Sequence, residues 1–262
     1  MVNQSDFHKE MAWRGSELFA SKGWSYQLTR SERDALATVV DRTGGQVLET
    51  ISEVTPASNV LTDLAGRLSN ILEHETGVVL VRNFSLSQWD EQAAGRAFWY
   101  LATQFGTPVS QSAEGDRLFH VRDAGFSVTD SRYRGPMSSK RLSFHTDRCD
   151  VIGFLCLQPA LQGGETFIVS SVALRDELRR SDPKTLEVLS QPYPYLRHTV
   201  DVGNTRPYCE LPIFSEHEGY FAGHFLRVLI DRADVSDVAP TLTTSQRLAL
   251  DALESLAEEP GF

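Results

Sequence analysis

The chain has 262 residues, 41% of them hydrophobic and 23% charged, with 25 Lys+Arg against 35 Asp+Glu for a formal net charge of −10. That apolar content, without a long single-sign charge run, excludes an intrinsically disordered chain. An acidic balance without a basic stripe argues against nucleic acid or an anionic membrane surface as the main partner, and the length suffices to bury a sizeable core in one large domain or two small ones.

The first third reads as helical. Ser31-Glu32-Arg33-Asp34 can cap a helix running towards Asp41, with Gly44-Gly45 as its break. Leu61, Leu64, Leu68, Ile71 and Leu72 recur at helical spacing up to His74. Gly77–Val81 is short and β-branched, so it reads as a buried strand. Ser87 is then a candidate cap of a second long helix, with Asp90 at its third position and a stripe of Ala94, Phe98, Leu101 and Phe105.

From Leu118 the pattern changes to short apolar runs separated by Gly, Pro and Asp. Strands are expected at Leu118–Val121, Val151–Leu157, Thr166–Ser170, Tyr195–Val200 and Tyr220–Ile230, with a short helix at Ala173–Arg180. Strands after a helical start predict an α+β fold, an antiparallel sandwich or barrel with helices packed outside. The polar stretch from Asp123 to Lys140 reads as a loop.

Cys149, Cys156 and Cys209 are too few and too unevenly spaced for a disulfide framework, and none forms a CxxC pair. Reduced, mostly buried thiols are expected. The N-terminus MVNQSDFHKEMAWRG lacks the apolar stretch of a signal peptide, and no apolar run reaches membrane-spanning length. The expectation is a soluble cytoplasmic protein.

The residues richest in chemistry are Ser143-Phe144-His145-Thr146-Asp147. In an extended segment the side-chain period of two puts His145 and Asp147 on one face. One imidazole and one carboxylate suit Fe(II), and a second histidine would complete a facial triad with open positions. His-x-Asp/Glu alone is a weak signal: His8-Lys9-Glu10 also fits it in an implausible setting.

Context strengthens the pair. The apolar run Val151–Leu157 and Gln158-Pro159 follow it. Sixteen residues after Asp147 begins Gly163-Gly164-Glu165-Thr166, leading into Phe167-Ile168-Val169 and Ser170-Ser171. The two glycines also suit a plain hairpin turn. This order resembles the TauD/TfdA-type Fe(II)/2-oxoglutarate-dependent oxygenases, and most closely their clavaminate-synthase-like branch. The resemblance extends through Gly77–Phe84, Phe105-Gly106-Thr107-Pro108-Val109 and Tyr220–Asp231, covering roughly residues 75–262.

The resemblance implies a double-stranded β-helix, or jelly roll, with flanking helices: one oxygenase domain over 1–262, with a mostly helical region at 1–75 and the jelly-roll core at 76–262. It implies His145 and Asp147 as iron ligands and Thr166 as a contact to the 2-oxoglutarate carboxylate, all lining one cavity. It also implies oxidative decarboxylation of 2-oxoglutarate to succinate and CO2, with O2 activated against a substrate C–H bond. Retention of Asp147 favours hydroxylation or a related oxidation, because related halogenases carry a small residue there. The implied substrate is a small polar molecule, an amino acid or an amino-acid-derived intermediate of specialised metabolism.

The family's distal histidine and its 2-oxoglutarate-binding arginine lie near the C-terminus. By that layout they fall beyond Phe262, so the core is expected to lack its C-terminal end and the iron site to be incomplete. His198, followed by Arg206, is the internal fallback as third ligand. His224 reads as a core or substrate-facing histidine in an alternating strand, His217 as part of an exposed turn, and His120 as a candidate pocket residue. Gln111, Arg122 and Arg227 are weaker substrate-contact candidates, with a structural salt bridge as the default for Arg227 and for Arg232. Glu258-Glu259 and Asp231 near Asp234 read as surface carboxylates. Neither a GxSxG elbow nor a GxxxxGK[ST] or GxGxxG loop occurs. Two other readings remain: a non-catalytic jelly-roll relative or fragment that binds a small ligand, and a cupin-like metalloenzyme using His198, against which Thr166 and the GGET turn speak.

Overall fold

The computed structural model describes residues 9–51, 58–112, 114–122, 141–197 and 205–262. Among them are eight α-helices and three two-stranded sheets. The N-terminal half holds α1 (Gly15–Ala20), β1 (Ser25–Gln27), α2 (Arg30–Arg42), α3 (Asn59–His74), β2 (Leu80–Arg82) and α4 (Glu91–Ala102). The C-terminal half holds α5 (Ser171–Ser181), α6 (Pro183–Leu189), β3 (Pro192–Leu196), β4 (Tyr208–Pro212), β5 (Phe214–His217), β6 (Tyr220–Gly223), α7 (Arg227–Asp234) and α8 (Thr244–Ala257).

Local chemistry sets the helix starts. Thr29, not Ser31, caps α2: its hydroxyl accepts the Glu32 N–H, and the Glu32 carboxylate accepts the Thr29 N–H at 2.7 Å. At α4 the cap is Asp90 itself, accepting Ala93 N–H at 2.7 Å, because Leu86–Gln88 form a separate 3-10 turn. Ser170, Asp182 and Thr243 cap α5, α6 and α8 in the same way, each with a side-chain oxygen on an orphan N–H of the first turn.

Two large apolar clusters form, beside a small one of Val40, Ala93 and Ala97. Leu36, Leu61, Leu64, Leu68 and Trp99 join α2, α3 and α4 around the parallel β1–β2 pair, in which Tyr26 faces Val81. Leu189, Tyr193, Ile213, Ile230 and Leu250 join α5 to α8 around β3, which pairs antiparallel with β4. Residues 11–15 tie the halves together. The Trp13 indole N–H donates to Thr76 O at 2.8 Å, Arg14 pairs with Glu177 at 2.9 Å and lies 4.0 Å over the Phe262 ring, and Ser170 donates to Met11 O.

Glu32 is buried at 1% exposure and holds three partners: Thr29 N–H, the Tyr26 hydroxyl at 2.7 Å and Arg67 at 2.9 Å. Burial works to raise its pKa, yet the hydrogen bonds from Tyr26 and Thr29 and the Arg67 charge hold it below the usual carboxylate value of 4.5. A depressed carboxylate stabilises the fold above its ordinary pKa, and that contribution is lost as pH falls through 4.5 and below. Glu32→Gln is therefore expected to cost about 1–2 kcal/mol at pH 7 and to reduce the acid sensitivity of unfolding below pH 4.5. Denaturant titrations at pH 7 and pH 4 check both parts.

Several expected elements differ. Tyr220–Ile230 is not one strand: β6 ends at Gly223 and α7 begins at Arg227. Leu226, Leu229, Ile230 and Ala233 fall at i, i+3, i+4 and i+7, and that helical stripe, packed against β3, overrides the strand-like alternation. The strand expected at Tyr195–Val200 is shifted, since β3 ends at Leu196 and residues 198–200 lie outside the described set. Leu118–Val121 forms no strand, and Leu118 packs near Gly95 of α4.

Val151–Leu157 and Thr166–Ser170 also carry no ladder among the described residues. Ile152, Phe154, Phe167 and Ile168 are exposed there. An apolar β-branched run gains from the strand state only where a neighbouring strand pairs its backbone and a facing layer covers its side chains. The first segment meets α4, where a Cβ at Gly153 would stand 3.2 Å from the Phe98 ring, so glycine permits this approach, and the second meets the C-terminal core through Val169. Gly163 and Gly164 both take positive φ, +74° and +76°, as a tight turn requires. The double-stranded β-helix is thus not displayed among the described residues, which show eight helices and three small sheets.

The thiols also depart from expectation, as all three cysteines are exposed. No helix among the described residues is long and apolar enough to cross a membrane.

Candidate metal centre

His145 and Asp147 lie in an irregular segment whose burial alternates. Phe144 is half-buried and packs on the C-terminal core, His145 is exposed, Thr146 is half-buried and Asp147 is exposed. The alternation sets the two candidate donors outward and the two anchors inward. The inward residue Thr146 is tied to Phe225, seventy-nine positions later: its N–H donates to Phe225 O at 2.7 Å, and its hydroxyl accepts Phe225 N–H at 2.9 Å.

The His145 ring is oriented by its own chain, with Nδ1 2.8 Å from Ser143 O. A carbonyl can only accept, so Nδ1 is the donor, and in the neutral tautomer this selects, Nε2 is the nitrogen with a free lone pair. Metal-binding histidines are held in this manner, the second nitrogen donating to a carbonyl or carboxylate. The donor set, one imidazole nitrogen and one carboxylate, fits Fe(II). Among the described residues no third His, Cys, Asp or Glu joins them in a metal-holding group.

The environment adds charge. Desolvation, then the charges of Asp147 and Asp150, push the Cys149 thiol up, keeping it protonated. The His224 ring lies 4.8 Å from the Tyr195 ring at a tilt of 53°, and Tyr195 donates to His224 O at 2.6 Å. Burial, then the Arg148 charge, lowers the His224 pKa, so it is neutral at pH 7. His224 follows β6 on the chain that holds Thr146, rather than lying in a long strand.

Thr166 is exposed, and no described hydrogen bond joins it to His145 or Asp147. Arg122 pairs with Glu91 at the start of α4, and His120 shares that carboxylate with Nδ1 at 2.8 Å. Gln111 sits on the turn closed by its N–H to Asp116 O at 2.6 Å. Arg227 is a structural link, reaching Asp231 at 2.8 Å, Asp251 at 2.9 Å and Glu254 at 3.0 Å, which ties α7 to α8. His217 lies at the β5–β6 hairpin, where Glu218 and Gly219 have φ of 51° and 85°, an exposed turn. His198 and the loop 123–140 lie outside the described residues, as does His8.

Two open surface hollows lie among the described residues. One of about 640 Å³ is lined by Tyr26, Arg67, Asn70 and Glu75, and one of about 330 Å³ lies beside Arg175, Arg179 and Glu216. Neither includes His145 or Asp147. Sequence reasoning missed both, together with the buried Glu32 and Arg175. Arg175 is held by Glu216 at 2.8 Å and lies 4.6 Å from the Phe221 ring centroid. Burial works to raise Glu216, but Arg179 and Arg175 hold its carboxyl below the usual range.

An outward His-x-Asp pair, with the histidine oriented from behind by a backbone carbonyl, defines a candidate mononuclear metal site. The family model described as taurine catabolism dioxygenase TauD, TfdA family matches residues 45–262, and the chain belongs to that family, whose members are Fe(II)/2-oxoglutarate dioxygenases. It is 26% identical over 259 residues to FR-33289 synthase of Streptomyces rubellomurinus, covering 95% of this chain and 74% of that protein. It is 25% identical over 195 residues to the taurine hydroxylase-like protein SAT17 of Stachybotrys chartarum, covering 70% of this chain and half of that protein.

Proposed function

We propose that this chain is an Fe(II)/2-oxoglutarate-dependent oxygenase that oxidises an unactivated C–H bond of a small polar substrate, an amino acid or an amino-acid-derived metabolite. The observation that carries the reading is the outward His145-x-Asp147 pair with Nδ1 of His145 held by Ser143 O, in a chain whose family match spans it. His145 Nε2 and the Asp147 carboxylate would hold the metal, and the metal with 2-oxoglutarate would supply O2 activation at the C–H bond.

The remaining work falls to the chain. Ser143 O fixes the imidazole tautomer, and Thr146 pins the backbone between the two donors. Thr166 is proposed to hydrogen-bond the 2-oxoglutarate carboxylate through its hydroxyl. The taurine hydroxylase-like name of one relative supports a small, charged, amino-acid-like substrate. The third ligand and the carboxylate-pairing arginine are not assigned to any described residue.

The test is succinate formation by the whole protein supplied with Fe(II), 2-oxoglutarate and O2, with and without panels of amino acids. Succinate that rises with one substrate supports the oxygenase. Ligand binding without succinate under any condition supports a non-catalytic relative instead.

A further inference from the structure

The residue between the two donors is the best-anchored part of the site. Thr146 makes a reciprocal pair of hydrogen bonds with one residue of a distant segment: N–H to Phe225 O at 2.7 Å, and hydroxyl from Phe225 N–H at 2.9 Å. Phe225 is itself fixed, buried at 8% exposure within the C-terminal core. Its neighbour His224 donates its N–H to Ile213 O at 2.8 Å and accepts the Tyr195 hydroxyl at 2.6 Å, and Ile213 and Tyr195 are fully buried. By contrast, residues 141–143 and 148–157 form no regular element, and nearly all of them are exposed. The His-x-Asp segment is therefore held to the rigid core at its middle residue.

We propose that Thr146 is a positioning residue for metal binding: its hydroxyl, by accepting the Phe225 N–H, sets the backbone from which His145 and Asp147 project. The proposal rests on the reading of that pair as iron ligands. The physical argument is one of register. Two ligands two residues apart converge on one ion only if the backbone between them is fixed to within a fraction of an ångström. A segment with little secondary structure supplies no such constraint by itself. The backbone N–H of residue 146 can hold one end of the clasp whatever the side chain, but the second bond needs a hydroxyl. Valine matches threonine in shape and supplies no acceptor, leaving the Phe225 N–H unpaired. Serine keeps the acceptor and loses only a methyl group.

The test uses Mn(II) as a redox-inert probe on the whole protein, with affinity read from the spectrum of the free ion, alongside His145→Ala and Asp147→Ala. Thr146→Val is expected to weaken Mn(II) binding about tenfold or more, the scale of losing an outer-shell contact to a metal ligand, with Thr146→Ser within about twofold of the unmodified protein. Equal Mn(II) affinity in Thr146→Val and the unmodified protein would overturn the proposal, and so would equal losses in Thr146→Val and Thr146→Ser. Unchanged binding in His145→Ala and Asp147→Ala would instead overturn the ligand reading, and the proposal with it. Amide exchange of the unmodified protein keeps the idea testable should Thr146→Val not fold. The Phe225 N–H is expected to be protected, and exchange at the rate of an unpaired amide would sink the clasp.

Discussion

Asp147→Ala and His145→Ala are each expected to lower 2-oxoglutarate turnover by about three orders of magnitude or more at saturating Fe(II). Loss of an outer-shell partner of a metal ligand typically costs roughly 10- to 100-fold, and loss of the ligand itself removes both a donor and its share of the geometry. The two variants should differ in kind. Removing Asp147 also removes the only negative charge of the pair, so the site loses attraction for the cation as well as a donor. Asp147→Asn separates these effects: it keeps an oxygen near the same place without the charge, and it should recover little of the lost turnover if charge dominates. Succinate release measured against Fe(II) concentration checks this, since a pure affinity defect is rescued by added metal and a geometric one is not. Undiminished turnover in either alanine variant would remove the pair from the mechanism.

The parts of this fold that could be read from the chain are those fixed by neighbours within a few residues. Leu61, Leu64, Leu68 and Ile71 mark α3 because a helix buries i, i+3, i+4 and i+7 whatever it packs against, and all four are buried. Thr29 and Asp90 show the limit of that reading. Several residues near each start could cap, and the actual cap was fixed by Glu32 at the third position of α2 and by a separate 3-10 turn before α4. The run from His224 to Ile230 alternates like a strand, yet Leu226, Leu229, Ile230 and Ala233 also fit a helix. Only the face offered by β3 decides between the two periods. Val151–Leu157 and Thr166–Ser170 show no ladder among the described residues, and sequence could not say so, because a strand is a property of a pair and β-branched residues in one segment do not specify the other.

For the candidate site, His145 and Asp147 were legible as candidate donors because residue type and spacing are written in adjacent residues, whereas Thr146 between them carried no signal. What holds them was not legible. Phe225 is seventy-nine residues from Thr146, and no local pattern announces a hydroxyl accepting a distant N–H. Arg227 was legible as an ion-pair former but not by its partners, since Asp251 and Glu254 sit on a helix that only the folded chain brings near. The Glu32–Tyr26–Arg67 cluster was hidden likewise: Glu32 is read locally as a capping residue, and its burial depends on α3 supplying Arg67.

The anchor of the His-x-Asp segment is only as rigid as the C-terminal core, which makes Leu250 the second position with a large expected effect. Leu250 lies on α8, is 0% exposed, and belongs to the cluster that contains Leu189, Tyr193, Ile230 and Phe225. Leu250→Ala removes methyl groups that the surrounding helices and β3 cannot fully replace. It is expected to cost about 3 kcal/mol, within the 2–5 kcal/mol typical of such changes, and to lower Tm by about 6–12 °C for a chain of this size. Leu250→Met, close in volume, should cost less than about 1.5 kcal/mol. Leu248→Ala is the matched control on the same helix: that side chain is 63% exposed, and its loss should stay within about 0.5 kcal/mol. Chemical denaturation of the three variants checks the order. The consequence for the site is graded in the same way. If Phe225 carries the clasp on Thr146, its amide should exchange faster in Leu250→Ala than in Leu248→Ala, because opening of the core and opening of the clasp are one event. Equal Phe225 exchange in the two variants, despite a stability gap of about 3 kcal/mol, would show that the His-x-Asp segment is held independently of the α8 core.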